Sequence, residues 1–166
     1  MAIIQKPPVK FAETKEEVLA RKEIVPIPPF KAAMRNLDWL NEGNKRLNVG
    51  DLSGAESFFR MASSETPDNP LPHYGLGRVH LRTGNYEAAV TEATAVIENP
   101  RGRRLLDGDA LSSVFYMRAH ALAELGRVPE AVQDIKRGKE LATSSDVKKA
   151  FDAAFADLVK QEGTSQ

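Results

Sequence analysis

The stretch WLNEGNKRLNVGDLSGAESFFRMASSETPDNP, residues 39–70, places Gly43, Gly50 and Pro67 within a helical pattern of apolar residues. Glycine is unfavourable inside a helix, so its placement needs a structural reason. The spacing recurs along the chain, because Gly50, Gly84 and Gly126 each precede an alanine by five residues. The first offset is 34 residues and the second is 42, which is 34 plus an insertion of eight. We therefore interpret the stretch as one copy of a repeat.

Other positions keep the same register. The corresponding sets are Trp39, His73 and Phe115; Gly43, Gly77 and Ala119; Ala55, Ala89 and Ala131; and Phe59, Ala93 and Ile135. Small residues in the second and third sets allow two helices to approach closely, and in the fourth set Phe59 and Ile135 fill the space between them, whereas the second copy has the small Ala93 there. Glycine can adopt the left-handed conformation that ends a helix, which accounts for Gly50, Gly84 and Gly126. Proline cannot continue a helix, so Pro67 and Pro100 are predicted to end second helices.

This pattern resembles the tetratricopeptide repeat, a helix–turn–helix unit of about 34 residues. The three copies span about residues 36–69, 70–103 and 112–145, and the third looks like that of immunophilin-type co-chaperones. The resemblance implies an all-α fold: a right-handed superhelical solenoid of antiparallel helix pairs. We assign residues 31–161 to this domain.

Residues 145–161 have the pattern of an amphipathic helix that begins near Ser145 and Asp146. Its predicted apolar face consists of Val147, Ala150, Phe151, Ala154, Phe155 and Leu158. Such a helix is expected to cover the last repeat, since an open solenoid end would expose apolar surface. Residues 162–166 are expected to form a frayed tail.

Residues 1–30 break the repeat and form a proline-containing arm, which we expect to be partly ordered. The spacing of Thr14 and Glu17 is that of a capping box, which indicates a short helix. Prolines on either side favour extended backbone. The apolar character of Ile24, Val25 and Ile27 favours packing of the arm near the first repeat.

Composition restricts the classes of function. The chain has 23 basic and 23 acidic residues, so its overall charge does not favour nucleic acid. It has no cysteine, which excludes disulfides, thiolate catalysis and cysteine-ligated metal sites. No stretch has the roughly 20 apolar residues that a membrane-spanning helix needs. The N-terminal stretch has no signal-peptide core. We expect a cytoplasmic protein that uses no cofactor and no metal.

The family resemblance implies that the first helix of each repeat lines a concave groove for a peptide or partner segment. Projection by repeat register predicts the groove residues Asn41, Asn44, Asn48, Tyr74, Arg78, Arg82, Tyr116, Met117 and His120, with Leu37, Leu40 and Glu124 beside them. Amide groups can bond a peptide backbone as donor and acceptor, and arginines favour carboxylates. The competing interpretation of each residue is ordinary helix surface.

A sharper hypothesis is the carboxylate clamp that co-chaperones of this family use to bind an acidic C-terminus. Its five positions correspond to Leu40, Asn44, Gly75, Ser113 and Met117 here, and only Asn44 matches. Arg118 lies one residue from the last position, and a helix turns about 100° per residue, so it is expected to face elsewhere. We therefore expect no standard clamp.

Catalysis is not expected either. His73, His80 and His120 fall in different first helices, and the register brings no carboxylate and nucleophile together with them. His73 and His80 occupy positions that are usually bulky and are predicted to pack between helices. The GLG at residues 75–77 is a repeat position and not a phosphate-binding loop.

The insertion PRGRRLLDGDAL, residues 100–111, carries the densest basic cluster, Arg101, Arg103 and Arg104. It is either a contact for phosphate or an acidic peptide, or a solvated loop with a helix extension at LLDG, and we favour the loop.

The sequence as a whole predicts a non-catalytic adaptor or co-chaperone-like scaffold for a protein or peptide partner. One alternative is a homo-oligomer in which the arm of one chain docks in the groove of the next. In another, the arm occupies its own groove and inhibits binding.

Overall fold

The computed structural model describes the backbone of residues 29–164 and the side chains of residues 33–160 except Arg103. Eight helices follow one another over these residues, and the described backbone contains no strand. They are α1 (Pro29–Asn48), α2 (Leu52–Glu65), α3 (Pro70–Arg82), α4 (Tyr86–Glu98), α5 (Gly102–Leu105), α6 (Gly108–Glu124), α7 (Val128–Leu141) and α8 (Ser145–Thr164). The pairs α1/α2, α3/α4 and α6/α7 stack in sequence, and α8 packs on α7. The predicted all-α repeat fold is confirmed.

The turn inside each helix pair has the same geometry three times. Gly50, Gly84 and Gly126 have φ angles of 86°, 74° and 73°. In the first turn the Gly50 N–H donates to the Leu47 carbonyl at 3.2 Å, and the Asp51 N–H donates to the Arg46 carbonyl at 2.9 Å. The same two bonds close the turns at the other glycines. This is the Schellman motif, which satisfies the last carbonyls of a helix and requires a left-handed residue.

Side chains begin the next helix in two of these turns. Asp51 accepts a hydrogen bond from the Gly54 N–H at 2.9 Å, and Asn85 accepts one from the Ala88 N–H at 3.4 Å. Arg127, at the third turn, makes no side-chain cap and instead pairs with Glu130. The second helices of the first two pairs, α2 and α4, end at Glu65 and Glu98. Each end lies two residues before a proline, as predicted.

Phe59 shows why the repeat needs small residues. Its ring is 1% exposed and lies between Gly43 of α1 and Gly75 of α3. A Cβ added to Gly43 would lie 2.7 Å from Cε1 of this ring, and one added to Gly75 would lie 2.5 Å from it. Both distances are too short for carbon atoms, so the glycines are what allow one aromatic ring to join three helices.

The core continues through the molecule as three apolar clusters, which join α1, α2 and α3, then α4 and α6, and then α6, α7 and α8. The repeat alanines Ala55, Ala89 and Ala131 are all fully buried, at 0% exposure. Leu47, Val79 and Phe151 are also buried, at no more than 1%. Burial of this kind contributes about 25 cal/mol per Å² of apolar surface removed from water.

Helix α8 covers the last pair with only part of its predicted face. Phe151 and Leu158 are 1% and 7% exposed, whereas Phe155 is 36% exposed and Ala150 is exposed. The prediction that Phe155 and Ala150 face the core is therefore wrong. The helix is oriented by Phe151, whose ring meets Gly138 of α7, where an added Cβ would be 2.4 Å from the ring.

Asp109 fixes the connection from α7 to α8. Its Oδ1 accepts hydrogen bonds from the Thr143 N–H at 2.7 Å and the Ser144 N–H at 3.1 Å. The Ser144 and Thr143 amides hold the pKa of the Asp109 carboxyl below its usual range. The first turn of α6 therefore holds the start of the covering helix.

Several boundaries differ from those expected from the sequence. Helix α1 begins at Pro29, so two residues assigned to the arm form its first turn, where the missing N–H of proline causes no loss. In the insertion, the short helix is GRRL, residues 102–105, and not LLDG, and α6 already begins at Gly108. Helix α8 extends to Thr164, past the predicted start of the tail. The predictions for residues 1–28 lie outside the described residues.

Among the described residues, no helix is both long enough and apolar enough to span a membrane. The expected cytoplasmic location stays a prediction.

Candidate functional site

Arg78 connects the first helices of the first two pairs. Its Nη1 donates to Oδ1 of Asn44 at 3.2 Å, and its guanidinium lies 5.8 Å from the centre of the Tyr74 ring. The amide of Asn44 is itself fixed, because its Nδ2 donates to the Leu40 carbonyl at 2.9 Å. The structure thus brings together three predicted groove residues, and it orients the Arg78 guanidinium before any ligand arrives.

Arg82 is one turn further along α3 and is used differently. Its Nη1 donates to the Leu47 carbonyl at 2.5 Å, in the last turn of α1. The last carbonyls of a helix have no intrahelical partner and carry partial negative charge, so a guanidinium there stabilises the helix end. Arg82 is therefore at least partly a structural residue, although the sequence pattern gave it the same role as Arg78.

Met117 does not line a groove. Its side chain is 4% exposed and its Cε would lie 2.6 Å from a Cβ added to Gly77. The absence of a side chain at Gly77 leaves a space that Met117 fills between α6 and α3. The prediction that Met117 contacts a ligand is therefore wrong, and we withdraw it from the site.

Asn41 and Asn48 are exposed on α1, as is Leu37, which has 50% exposure. We use the name groove face for the exposed or half-buried side chains of the three first helices that correspond by repeat register. These are Leu37, Asn41, Asn44 and Asn48 of α1, Tyr74, Arg78 and Arg82 of α3, and Tyr116, His120 and Glu124 of α6.

A cleft of about 510 Å³ lies between α6, α7 and α8, and we call it the C-terminal cleft. Tyr116, His120 and Glu124 line it from α6, and Asp157 and Leu158 line it from α8. The remaining lining residues are Ala119, Ala123, Ile135 and Ala154. Because the alanine side chains of α6 and α8 are small, they leave this space between the two helices. The cleft therefore combines an apolar floor with two carboxylates.

The three histidines are in separate environments. Nδ1 of His73 is 2.7 Å from Oε2 of Glu92 on α4, and this carboxylate raises the pKa of His73. His80 is 8% exposed and packs between helices, as predicted. Nε2 of His120 lies 3.6 Å from Oε1 of Glu124. Within the described side chains, no three acidic or histidine groups are arranged to hold a metal ion.

The positions of the carboxylate clamp are mostly inside the protein. Leu40 is 7% exposed and Gly75 and Met117 are buried. Ser113 is half-buried, and its hydroxyl donates to the Asp109 carbonyl at 2.9 Å. Asn44 is exposed but is engaged by Arg78. In the insertion, Arg101 and Arg104 are exposed, and the side chain of Arg103 lies outside the described part.

Sequence reasoning missed the contribution of α8 to the site. Asp157 and Leu158 face the same cleft as Tyr116, although α8 was interpreted only as a cover. The sequence contains one indication of this, because Asp157 directly precedes Leu158, a predicted core residue. Glu124, which the repeat register projects onto the groove face, also lines the cleft and belongs to the candidate site.

The family model for the tetratricopeptide repeat matches residues 70–93 and 113–133. These ranges lie in the second and third copies, and the first copy has the same turn geometry at Gly50. The chain is a tetratricopeptide-repeat protein. The similarity of the third repeat to that of immunophilin-type co-chaperones stays a prediction.

Three relatives illustrate the family. DnaJ homolog subfamily C member 3 of Rattus norvegicus is 32% identical over 123 residues, which cover 74% of this chain and 22% of that protein. The Homo sapiens protein of the same name is 30% identical over 123 residues, which again cover 74% of this chain and 22% of that protein. Cellulose synthase operon protein C of Pseudomonas fluorescens (strain SBW25) is 31% identical over 64% of this chain and 8% of its own. The chain therefore spans less than a quarter of these relatives.

Two solved structures share the fold of this repeat protein. The N-terminal domain of stress-induced protein-1 from C. elegans has a TM-score of 0.62 and 16% identity, covering 74% of this chain and 95% of that one. A TPR-like protein from Chlorobium tepidum TLS has a TM-score of 0.67 and 23% identity, covering 82% of this chain and 99% of that one. At these identities the likeness concerns the fold.

Proposed function

We propose that this repeat protein is a non-catalytic protein-interaction module, an adaptor or co-chaperone-like scaffold that binds an extended segment of a partner protein along the groove face. Similarity to part of DnaJ homolog subfamily C member 3 and the tetratricopeptide repeats themselves support this role. The separate environments of the three histidines favour binding over catalysis.

The observation that carries the proposal is the arrangement of Arg78. A guanidinium that is already oriented by Asn44 and Tyr74 loses little further freedom when it meets a carboxylate. Arginine donates several hydrogen bonds from one rigid group, so it can keep the bond to Asn44 and still bind a ligand. We therefore expect the partner segment to place an acidic side chain or terminal carboxylate at Arg78.

The test is an affinity capture from native lysate with three full-length proteins: wild type, Arg78→Glu and the control Arg60→Glu. Arg60 lies on α2, is exposed and pairs only with the neighbouring Glu56 among the described contacts, so the control makes the same charge change away from the groove face. Mass spectrometry identifies the bound proteins, and circular dichroism checks that each variant is folded.

A partner captured by wild type and Arg60→Glu but lost from Arg78→Glu would support groove binding. A partner that Arg78→Glu retains would place binding on another surface and contradict the proposal. Arg82 is left unchanged in this test, because it supports the end of α1 and its substitution would combine lost binding with lost stability.

A further inference from the structure

The C-terminal cleft differs in chemistry from the surface around Arg78. On α3, the groove face presents a guanidinium, whereas the cleft presents carboxylates from two facing helices, Glu124 on α6 and Asp157 on α8. Their side chains are 46% and 73% exposed. The two parts of one continuous face therefore favour ligand groups of opposite charge.

The carboxylates are only loosely paired within the protein. Glu124 has His120 at 3.6 Å, and Asp157 has Lys160 at 3.6 Å, and both distances are longer than a hydrogen bond. An exposed pair at such a distance contributes little, so it can be exchanged for a ligand cation at small cost. Arg118, by contrast, is held by Asp134 away from this cleft.

Tyr116 supplies a rigid apolar wall. Its ring is 41% exposed and packs edge-on against Phe151, with centroids 5.5 Å apart. Phe151 is itself 1% exposed and is confined by Gly138, so the tyrosine has a fixed support. A tyrosine that is immobilised before binding is the kind of residue that contributes most at an interface.

We propose that the C-terminal cleft binds an apolar side chain of the partner segment together with an adjacent lysine or arginine. The apolar side chain lies on the floor of Ala119, Ala123 and Ile135 beside Tyr116, and the cation lies between Glu124 and Asp157. The proposal rests on the proposed function, because the same segment places its carboxylate at Arg78. The partner is thus a segment of another protein with an acidic group and a basic group separated along its length.

An acidic or a purely apolar group would be unfavourable in the C-terminal cleft, and the proposed group is therefore basic. An acidic side chain in the cleft would face two like charges, and a purely apolar one would remove both carboxylates from water without a compensating partner. Lysine and arginine combine an apolar stem with a charged end, which matches a cleft with an apolar floor and charged walls.

The test is selection of displayed random peptides on the immobilised full-length protein, with wild type and the charge-reversed variant Glu124→Lys/Asp157→Lys used in parallel. Selected peptides are then synthesised and their affinities measured by fluorescence anisotropy. We expect wild type to select peptides with lysine or arginine beside an apolar residue. We expect about a tenfold loss of affinity for the reversed variant, which should select an acidic residue at the same place.

Two further variants make the result specific. Glu140→Lys/Asp146→Lys makes the same charge change on exposed residues outside the cleft and should bind the selected peptides like wild type. Glu124→Gln/Asp157→Asn keeps the side-chain shapes, so its loss of affinity would persist even if the reversed variant folded poorly. Circular dichroism and thermal unfolding check every variant.

Selected peptides without basic residues, or peptides that bind the reversed variant equally well, would overturn the inference. If such peptides still depend on Arg78, the proposed function stands and only the assignment of the cleft fails. Failure to select any groove-dependent peptide would count against both. A peptide of residues 2–12, which contains Lys6 and Lys10, is measured alongside. If it binds the cleft more tightly than the selected peptides, the chain's own arm replaces the separate partner, and the inference is overturned.

Discussion

Arg118 and Asp134 form a bidentate ion pair that joins α6 to α7. Nε and Nη2 of Arg118 each donate to one oxygen of the Asp134 carboxylate, and both distances are 2.7 Å. The remaining Nη1 donates to the hydroxyl of Thr94 on α4 at 3.0 Å, so the arginine also connects two helix pairs. The side chains are 20% and 8% exposed, so this pair is much more protected than surface pairs such as Arg137 with Glu140.

Replacement of Arg118 by alanine is expected to lower the free energy of unfolding by about 3 kcal/mol. The reason is that Asp134 would remain largely buried with no cation to compensate its charge. Urea denaturation followed by circular dichroism measures the change.

Arg118→Lys is expected to recover only part of this loss, because an ammonium cannot donate two parallel bonds to one carboxylate. The control is Arg137→Ala, which removes an exposed arginine paired with Glu140 and should change the stability by less than about 1 kcal/mol. Equal effects of the Arg118 and Arg137 substitutions would show that burial does not determine the contribution of the pair.

Phe59 and Gly75 give a second prediction. Alanine is a better helix former than glycine, so Gly75→Ala in an isolated helix would be stabilising. Here the new Cβ would lie 2.5 Å from a ring that is 1% exposed and cannot move aside. We expect a net destabilisation of about 2 kcal/mol, as is typical of overpacking, measured by thermal and urea unfolding.

The matching test is a double-mutant cycle. Phe59→Leu alone should be destabilising because it leaves a cavity, but in its presence Gly75→Ala should cost less, since leucine lacks Cε1 and Cζ of the ring and its Cδ methyl groups can rotate away. Strictly additive effects would mean that Phe59 and Gly75 do not determine each other's packing.

The fold could be predicted from the sequence because the packing requirement repeats. The glycine that must adopt positive φ and the alanine at the helix crossing recur five residues apart in all three copies, as at Gly84 and Ala89, and a proline follows the second helix in the first two copies, as at Pro100. Each requirement is local to one helix pair. One register therefore determines the turns, the buried alanines and the helix ends.

The site could be predicted only in part, because exposure depends on the size of neighbours in other helices. Met117 has a groove position by register, but Gly77 of α3 leaves room for its side chain to turn inward. Phe155 has a core position by periodicity, but α8 is oriented so that Phe151 and Leu158 face the core instead. Arg78 and Arg82 look alike in sequence, and only the structure shows that one supports the end of α1.

The comparison of repeats leads to a third prediction, at Arg127. This residue has φ and ψ of −87° and 52°, close to the −86° and 72° of Asn85, yet it makes no side-chain cap. We expect Arg127→Asn to raise the free energy of unfolding modestly. A cap contributes about 1 kcal/mol, and the lost pair with Glu130 is exposed and weak. Urea unfolding measures the difference.

Glu130→Gln serves as the control, because it breaks the pair with Arg127 without adding a cap, and it should change the free energy of unfolding only slightly. Asn85→Ala should be destabilising, since it removes the cap that the second repeat has. A less stable Arg127→Asn protein would show that the side-chain pair outweighs a cap at this turn.

The pair of His73 and Glu92 predicts a pH dependence of stability. Glu92 raises the pKa of His73 above its ordinary value of 6.5, because the carboxylate 2.7 Å away favours the charged imidazole. A group whose pKa is higher in the folded state stabilises the protein fully below its unfolded pKa and loses that contribution as pH rises through the folded pKa. The pair should therefore stabilise the junction of α3 and α4 at pH 5.5 and contribute less at pH 9.

The variant that isolates this effect is Glu92→Gln, which keeps a hydrogen-bonding group beside His73 but removes the charge. The difference in free energy of unfolding between wild type and Glu92→Gln should be largest near pH 5.5 and should decrease toward pH 9, measured by urea unfolding across that range. The NMR resonances of the His73 imidazole should titrate at a lower pH in the variant than in the wild type. A difference that stays constant with pH would mean that the neutral hydrogen bond accounts for the contact. The charge would then contribute nothing to the packing of α3 on α4.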